Sequence, residues 1–286
     1  MLRKHLMEIQ TKQYNNVSEF LDENETLMLK NESMNNLILG LSNSILKQER
    51  NAKSPMFLSV LDNSKIIGQA IRTDPEKPLG ITDLSEEAIE SLVKHLNKES
   101  IVLQSVIGPS ISSEAFAAAY DEDNKLEMHQ GVYEARSITT PPNQHQMSLI
   151  VVNEGRREKA RDFMRGFIRD CFPTEKRHEE GLEEMLDRRI RNRSLHFLID
   201  TEGTPCSMAA LSRESRNAST LSLVYTPDHL RGKGYGSLVT ALLSQKLIKR
   251  KPICNLYTDL LNPTSNSIYQ KIGFKKVGES KHFSFK

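Results

Sequence analysis

The feature that most limits what this chain can fold into is an order of sequence patterns that is written twice. Each half opens on a short strand-like run, at residues 5–10 and 147–152. Two helical patterns follow, at 17–30 and 35–48 in the first half and at 156–169 and 181–193 in the second. A hairpin comes next. Runs at 56–61 and 66–71 flank Asp62-Asn63, and runs at 195–199 and 206–211 flank Glu202-Gly203. Such dipeptides between apolar runs signal a turn. Phe57 and Phe197 are separated by the same interval as Met7 and Met147. Strand patterns interleaved with helical ones imply an α/β sandwich for each half, with a mixed, mostly antiparallel sheet flanked by helices. A length of 286 residues suits two domains of about 140 residues each. The polar stretch 137–146 lies near the midpoint, and its Pro141-Pro142 cannot continue a helix or a central strand. It divides residues 1–140 from residues 141–286.

After the hairpin the copies diverge. The second has a long strand pattern at 218–226, a glycine-rich loop and a helical pattern at 237–249. The first has only Leu79-Gly-Ile-Thr and a helical pattern at 85–96. Both then resume with a strand, 101–107 or 253–258, and a short helix, 113–120 or 264–271. Each closes on strand-like sequence, 125–133 or 275–285.

Composition excludes several classes. A hydrophobic fraction of 37% with 27% charged residues reads as soluble and globular, and a net charge of +2 gives no support for nucleic-acid binding. No apolar run reaches the roughly 18 residues of a membrane span, and the first residues do not read as a secretion signal. Cys171, Cys206 and Cys254 are odd in number and far apart. They suggest neither a disulfide framework nor a metal site, and they fit small core residues in a reducing cytoplasm.

The chemistry concentrates in the last third. Arg231-Gly-Lys-Gly-Tyr-Gly236 follows a strand pattern and opens a helical one. Glycines let the backbone turn and let a ligand approach the amides, and a helix N-terminus offers N–H groups and a positive dipole end. Lys233 and Arg231 add cations, and Ser237 adds a hydroxyl. A pyrophosphate fits such a place. A nucleotide-triphosphatase loop would end Gly-Lys-Ser/Thr, whereas this one ends Gly-Tyr-Gly-Ser. A dinucleotide fingerprint needs glycine or alanine at 237 and an acidic residue about 20 positions on, and neither is present.

The run from Leu223 to Gly236 resembles the acetyl-CoA signature of the GNAT superfamily of N-acetyltransferases, with Arg231, Gly234 and Gly236 on its pattern of Arg or Gln, two residues, Gly, one residue, Gly or Ala. A second family signature lies downstream, where Asn262, Tyr269, Gly273 and Phe274 fall on the family's Asn, Tyr and Gly-Phe positions. The resemblance covers residues 195–285 well, 148–193 loosely, and the first half as a degenerate copy.

What the resemblance implies is transfer of an acetyl group from acetyl-CoA to a primary amine. Leu223, Val224, Tyr225 and Thr226 would line the arm of the cosubstrate, with the Val224 N–H as donor to the thioester oxygen. Arg231, Gly232, Lys233, Gly234, Tyr235, Gly236 and Ser237 would hold the pyrophosphate. Asn262 would bond the pantetheine arm or cap its helix, Asn266 is a further contact, and Tyr269 stands at the general-acid position. The strand before the loop is expected to splay from the strand at 253–258 so that pantetheine can enter. That strand carries no carboxylate, so the base is Glu214, Asp259 or water. The alternative class is a non-catalytic CoA-binding sensor. Arg157, Arg161, Arg165 and Arg169 recur every fourth residue and read as a solvated face, or as an attractor for an acidic acceptor. Two fused copies can mimic a dimer within one chain, which favours a monomer.

Overall fold

The computed structural model describes residues 9–142, 146–171 and 181–286. The strand expected at 5–10 therefore falls largely outside the described residues, as does part of the polar stretch at 137–146. The chain divides into two compact units. The first comprises residues 1–132, 258–261 and 276–286, and the second comprises 133–257 and 262–275.

The first unit begins with β1 (Ile9–Tyr14), α1 (Val17–Met28) and α2 (Asn36–Leu46). The side chain of Asn16 accepts from the Glu19 N–H at 3.0 Å and donates back to its carboxylate at 2.7 Å, which sets the start of α1. The hairpin β2 (Met56–Asp62) and β3 (Lys65–Arg72) turns on Asn63, whose φ of 53° is left-handed. Then come β4 (Leu79–Ile81), α3 (Glu86–Lys98), β5 (Ser105–Pro109), α4 (Ser110–Tyr120) and β6 (Lys125–Ala135). β5 starts later than the sequence pattern suggests, because the N–H of Leu103 is taken by the Tyr120 hydroxyl at 2.8 Å. The sheet order is β1-β2-β3-β4-β5-β12-β6, where β12 is the last strand of the chain (Lys275–Ser284). β12 lies antiparallel to β5, and Phe283 and Phe285 pack into the core of this unit with Phe116 and Leu92.

The second unit repeats the plan with β7 (Ser148–Val151), α5 (Arg157–Cys171), α6 (Leu182–Arg191), the hairpin β8 (Leu195–Ile199) and β9 (Pro205–Glu214), β10 (Ala218–Tyr225), α7 (Tyr235–Ile248), β11 (Ile253–Asp259) and α8 (Pro263–Lys271). Its sheet order is β11-β10-β9-β8-β7. Alternation along the strands builds two core layers. One, with Leu198, Leu221, Leu256 and Ala209, lies under α7. The other, with Phe197, Met208, Ala210 and Leu223, lies under α5 and α6. α7 is apolar nearly all round and buries Leu238, Val239, Ala241, Leu243 and Leu247. Arg157 and Arg161 on α5 both bond Glu183 on α6, so they tie the two helices together.

The ladders β4–β5 and β10–β11 are parallel. β1–β2, β2–β3, β3–β4, β5–β12, β7–β8, β8–β9 and β9–β10 are antiparallel. The α/β sandwich with a mostly antiparallel sheet is therefore as the patterning predicts. Among the described residues, no helix is long and apolar enough to cross a membrane.

Candidate functional site

Three local structures of the second unit define the site. The first is a fork in the sheet. β10 pairs with β11 through Ala218–Ile253, Ser219–Cys254, Thr220–Asn255 and Leu221–Leu256, and there the ladder ends. β10 continues to Tyr225, so among the described residues its last four run on laddered to β9 alone. On that side Ser222 opposes Ala210 and Tyr225 opposes Met208: three steps on β10 match two on β9. The extra residue is a β-bulge, and Leu223 carries it at a φ of 52°. A β-carbon in the left-handed region is strained by about 1–3 kcal/mol, and such strain clusters at sites that need a backbone group re-aimed. Ser207 fixes the end of the strand, donating to the Tyr225 carbonyl and lying 2.9 Å from the Thr226 hydroxyl.

The second is the glycine turn. Gly232 and Gly234 have φ of 77° and 79°, and a β-carbon built on either would meet nothing within 4 Å. The turn thus presents bare backbone to open space. Gly234 is the N-cap of α7 and offers no side chain to it, so the first N–H groups of that helix, which have no intrahelical partner, face the turn. Lys233 is exposed on the same turn. Arg231 is engaged instead. Its Nε donates to the Thr226 carbonyl at 3.0 Å, and its guanidinium meets Asp170 at 2.5 Å and Asp228 at 2.9 Å. It joins the loop to the end of α5. Burial raises the Tyr235 phenol, helped by Cys206 and Asp200 nearby.

The third is α8. The Asn262 side chain accepts from the Ser265 N–H at 3.0 Å and Pro263 fills the first helical position, so Asn262 is a helix cap. Asn266 follows one turn later. Tyr269 is buried, with its ring edge-to-face on Phe274 at 6.2 Å. Burial pushes its phenol up to about 12, against the lowering effect of a hydrogen bond with Ser265. Gly273 sits at a φ of 111°, and a β-carbon there would lie 2.9 Å from the Ser137 carbonyl. Glycine is required by both the turn and the approach.

Glu214 stands at the far end of the strand. It opposes Ser219, accepts from that hydroxyl at 3.2 Å and lies 3.6 Å from Arg250. Five residues of strand separate that level from Val224, roughly 16 Å. Asp259 ends β11, three residues past its last rung with β10, and accepts from the Leu261 N–H at 2.8 Å. Sequence reading does not single out Asp170, the acid on Arg231, because 61 residues separate the two.

Among the described residues, the first unit lacks this arrangement at the corresponding place. β4 and β5 pair through Leu79–Val106 and Gly80–Ile107. At the next step a β-carbon on Gly108 would be only 2.7 Å from the Ile81 carbonyl, so the strands stay in close contact. The following helix, α3, is capped by Ser85, and its first turn carries Glu86 and Glu87.

Residues 201–283 match the model of the FR47-like protein family. A search of curated protein sequences found no match. Among solved structures, a GNAT-family acetyltransferase from Colwellia psychrerythraea matches at a TM-score of 0.58 and 12% identity, over 97% of this chain and 100% of that one. A Drosophila protein matches at 0.67 and 12% identity, over 96% and 98%. A tandem GNAT protein from the clavulanic acid biosynthesis pathway matches at 0.55 and 10% identity, over 96% and 98%. The chain therefore shares the fold of these GNAT proteins over nearly its whole length, one of them a tandem protein.

Proposed function

We propose that this chain is an N-acetyltransferase that moves an acetyl group from acetyl-CoA to a primary amine by direct attack on the thioester. The observation that carries the reading is the fork between β10 and β11, which opens in the same unit as a bare glycine turn and a buried tyrosine. The residues fit the cosubstrate. Gly232 and Gly234 leave room for a pyrophosphate against the N-terminus of α7, with Lys233 and Ser237 beside it. Tyr235 and Gly236 contribute backbone N–H groups, and Arg231 holds the loop or turns to the phosphates.

When bound, acetyl-CoA supplies the activated acyl group. Its arm would lie along Leu223, Val224, Tyr225 and Thr226, where β10 has lost its neighbour, with Asn262 and Asn266 on the other side. The bulge at Leu223 re-aims the following backbone, and Val224 N–H is the donor for the carbonyl oxygen as charge develops there. The amine nitrogen forms its bond to the carbonyl carbon as the carbon–sulfur bond breaks. The sulfur takes a proton from the Tyr269 phenol, which its raised pKa keeps protonated at neutral pH. The amine's surplus proton leaves through water, since Glu214 lies at the closed end of the strand.

We assign catalysis to residues 141–286 and read residues 1–140 as a degenerate copy, consistent with the close contact of β4 and β5. The acceptor is a small-molecule or peptide amine. We take the protein to act as a monomer in the cytoplasm. The absence of a carboxylate from residues 218–226 favours one other reading, a CoA-binding sensor. Thiol release decides between them. Purified protein with acetyl-CoA and a panel of amino acids, polyamines, aminosugars and peptide N-termini should release CoA thiol with at least one amine. Binding of acetyl-CoA without release from any of them would leave the sensor.

A further inference from the structure

Ser222 follows Leu221, the last residue of β10 that is laddered to β11, so it stands at the mouth of the fork. Its cross-strand partner is Ala210, a member of the core layer under α5 and α6. Leu221 and its partner Leu211 belong to the opposite layer, under α7. By strand alternation Ser222 therefore presents its hydroxyl to the α5–α6 face. That hydroxyl is buried and has no hydrogen-bond partner among the described residues. A hydroxyl carries one donor and two acceptor sites, and buried polar groups in native proteins are nearly always satisfied. An orphan just past the last rung between β10 and β11 points to a group that arrives from outside.

The sheet has two faces, one under α7 and one under α5 and α6. The glycine turn lies at the N-terminus of α7, so an acyl-CoA held there enters the fork from the α7 side. A nucleophile attacks a carbonyl carbon from above or below its plane, and the α5–α6 face is the one that α7 leaves. We propose that Ser222 binds the acceptor: its Oγ accepts a hydrogen bond from an N–H of the neutral primary amine, leaving the nitrogen lone pair turned to the thioester carbon. This rests on the acetyltransferase reading. Ser222 orients the amine and is not its base. The proton lost on bond formation goes to water, and the sulfur's proton comes from Tyr269 as above.

The test is Ser222→Ala in the full chain, assayed with whichever amine of the panel gives wild type its fastest thiol release. The kcat/KM for that amine should fall about tenfold or more, the scale of one lost hydrogen bond. The KM for acetyl-CoA and its calorimetric affinity should stay within about twofold, and the thermal midpoint should not drop, because a hydroxyl without a protein partner contributes nothing to the fold. Unchanged kcat/KM for the amine would overturn the assignment. So would a matching loss of acetyl-CoA affinity, which would put Ser222 on the pantetheine arm, or a lowered midpoint, which would make it structural. Wild-type protein inactive with every amine would remove the acetyltransferase reading and this assignment with it. An active wild type beside an unaffected variant removes the assignment alone.

Discussion

Leu221 and Leu256 form the last rung between β10 and β11, and two residues later Leu223 turns left-handed at a φ of 52°. The end of the ladder frees one edge of β10, and the bulge changes the direction of the backbone groups on that edge. In the first unit the equivalent parallel pair has no left-handed residue among its described residues, and Ile81 and Gly108 stay in close contact just past the last rung. Among the described residues, the duplicated plan thus contains one opening suited to an extended arm.

Tyr269→Phe is expected to lower turnover by about 10²-fold or more, the scale of a lost general acid. Acetyl-CoA affinity should change little, since the ring and its packing on Phe274 remain. Steady-state kinetics with calorimetry checks this, and wild-type turnover would reassign Tyr269 to the core. With its pKa pushed up to about 12, the phenol should contribute no descending limb to the rate below about pH 10.

Gly234→Glu should abolish acetyl-CoA binding. The new side chain enters the open space over the turn and carries negative charge to it. A left-handed φ also costs a residue with a β-carbon about 1–2 kcal/mol, so the thermal midpoint should fall by a few degrees while the protein stays folded. Calorimetry on the folded variant reads the result. Unchanged affinity would remove the phosphate-cradle role.

His196 on β8 should make stability depend on pH. It is buried and lies 3.2 Å from the Lys246 ammonium on α7. Burial first, and then Lys246, lowers its pKa to about 4. A depressed folded value means that the stabilisation is full above the unfolded value near 6.5 and is lost as pH falls towards 4. The loss is up to about 3 kcal/mol at pH 4. Thermal melts from pH 7 to 4 should show it, and His196→Gln should flatten that part of the profile.

The parts of the site legible in the sequence are those whose cause is local. Gly232, Gly234 and Gly273 are needed at their own φ angles, and Asn262 caps its own helix, so spacing alone carries them. Element order was equally readable, because the strand and helix periods differ. Three features depend on distant residues and were not. Leu223 at positive φ cannot be foreseen, since nothing in a leucine favours that region. The engagement of Arg231 by Asp170 joins residues 61 apart. The alternation of the closing strand does not name its partner, and residues 276–286 cluster with the first unit through β5. The four arginines of α5 illustrate the reverse. Their spacing invited a functional reading, yet Arg157 and Arg161 join helix to helix through Glu183, and Arg169 meets its neighbour Asp170 at 3.2 Å.

Calorimetric titration of the full chain with acetyl-CoA tests the central claim most directly, because it counts forks. Saturation should come at one equivalent, and Gly234→Glu in the second unit should remove it entirely. In the first unit α3 opens on Glu86 and Glu87 with Ser85 as its cap, so its helix start repels a pyrophosphate. Two equivalents, or one that survives Gly234→Glu, would place an acyl-CoA site among residues 1–140 and contradict the account.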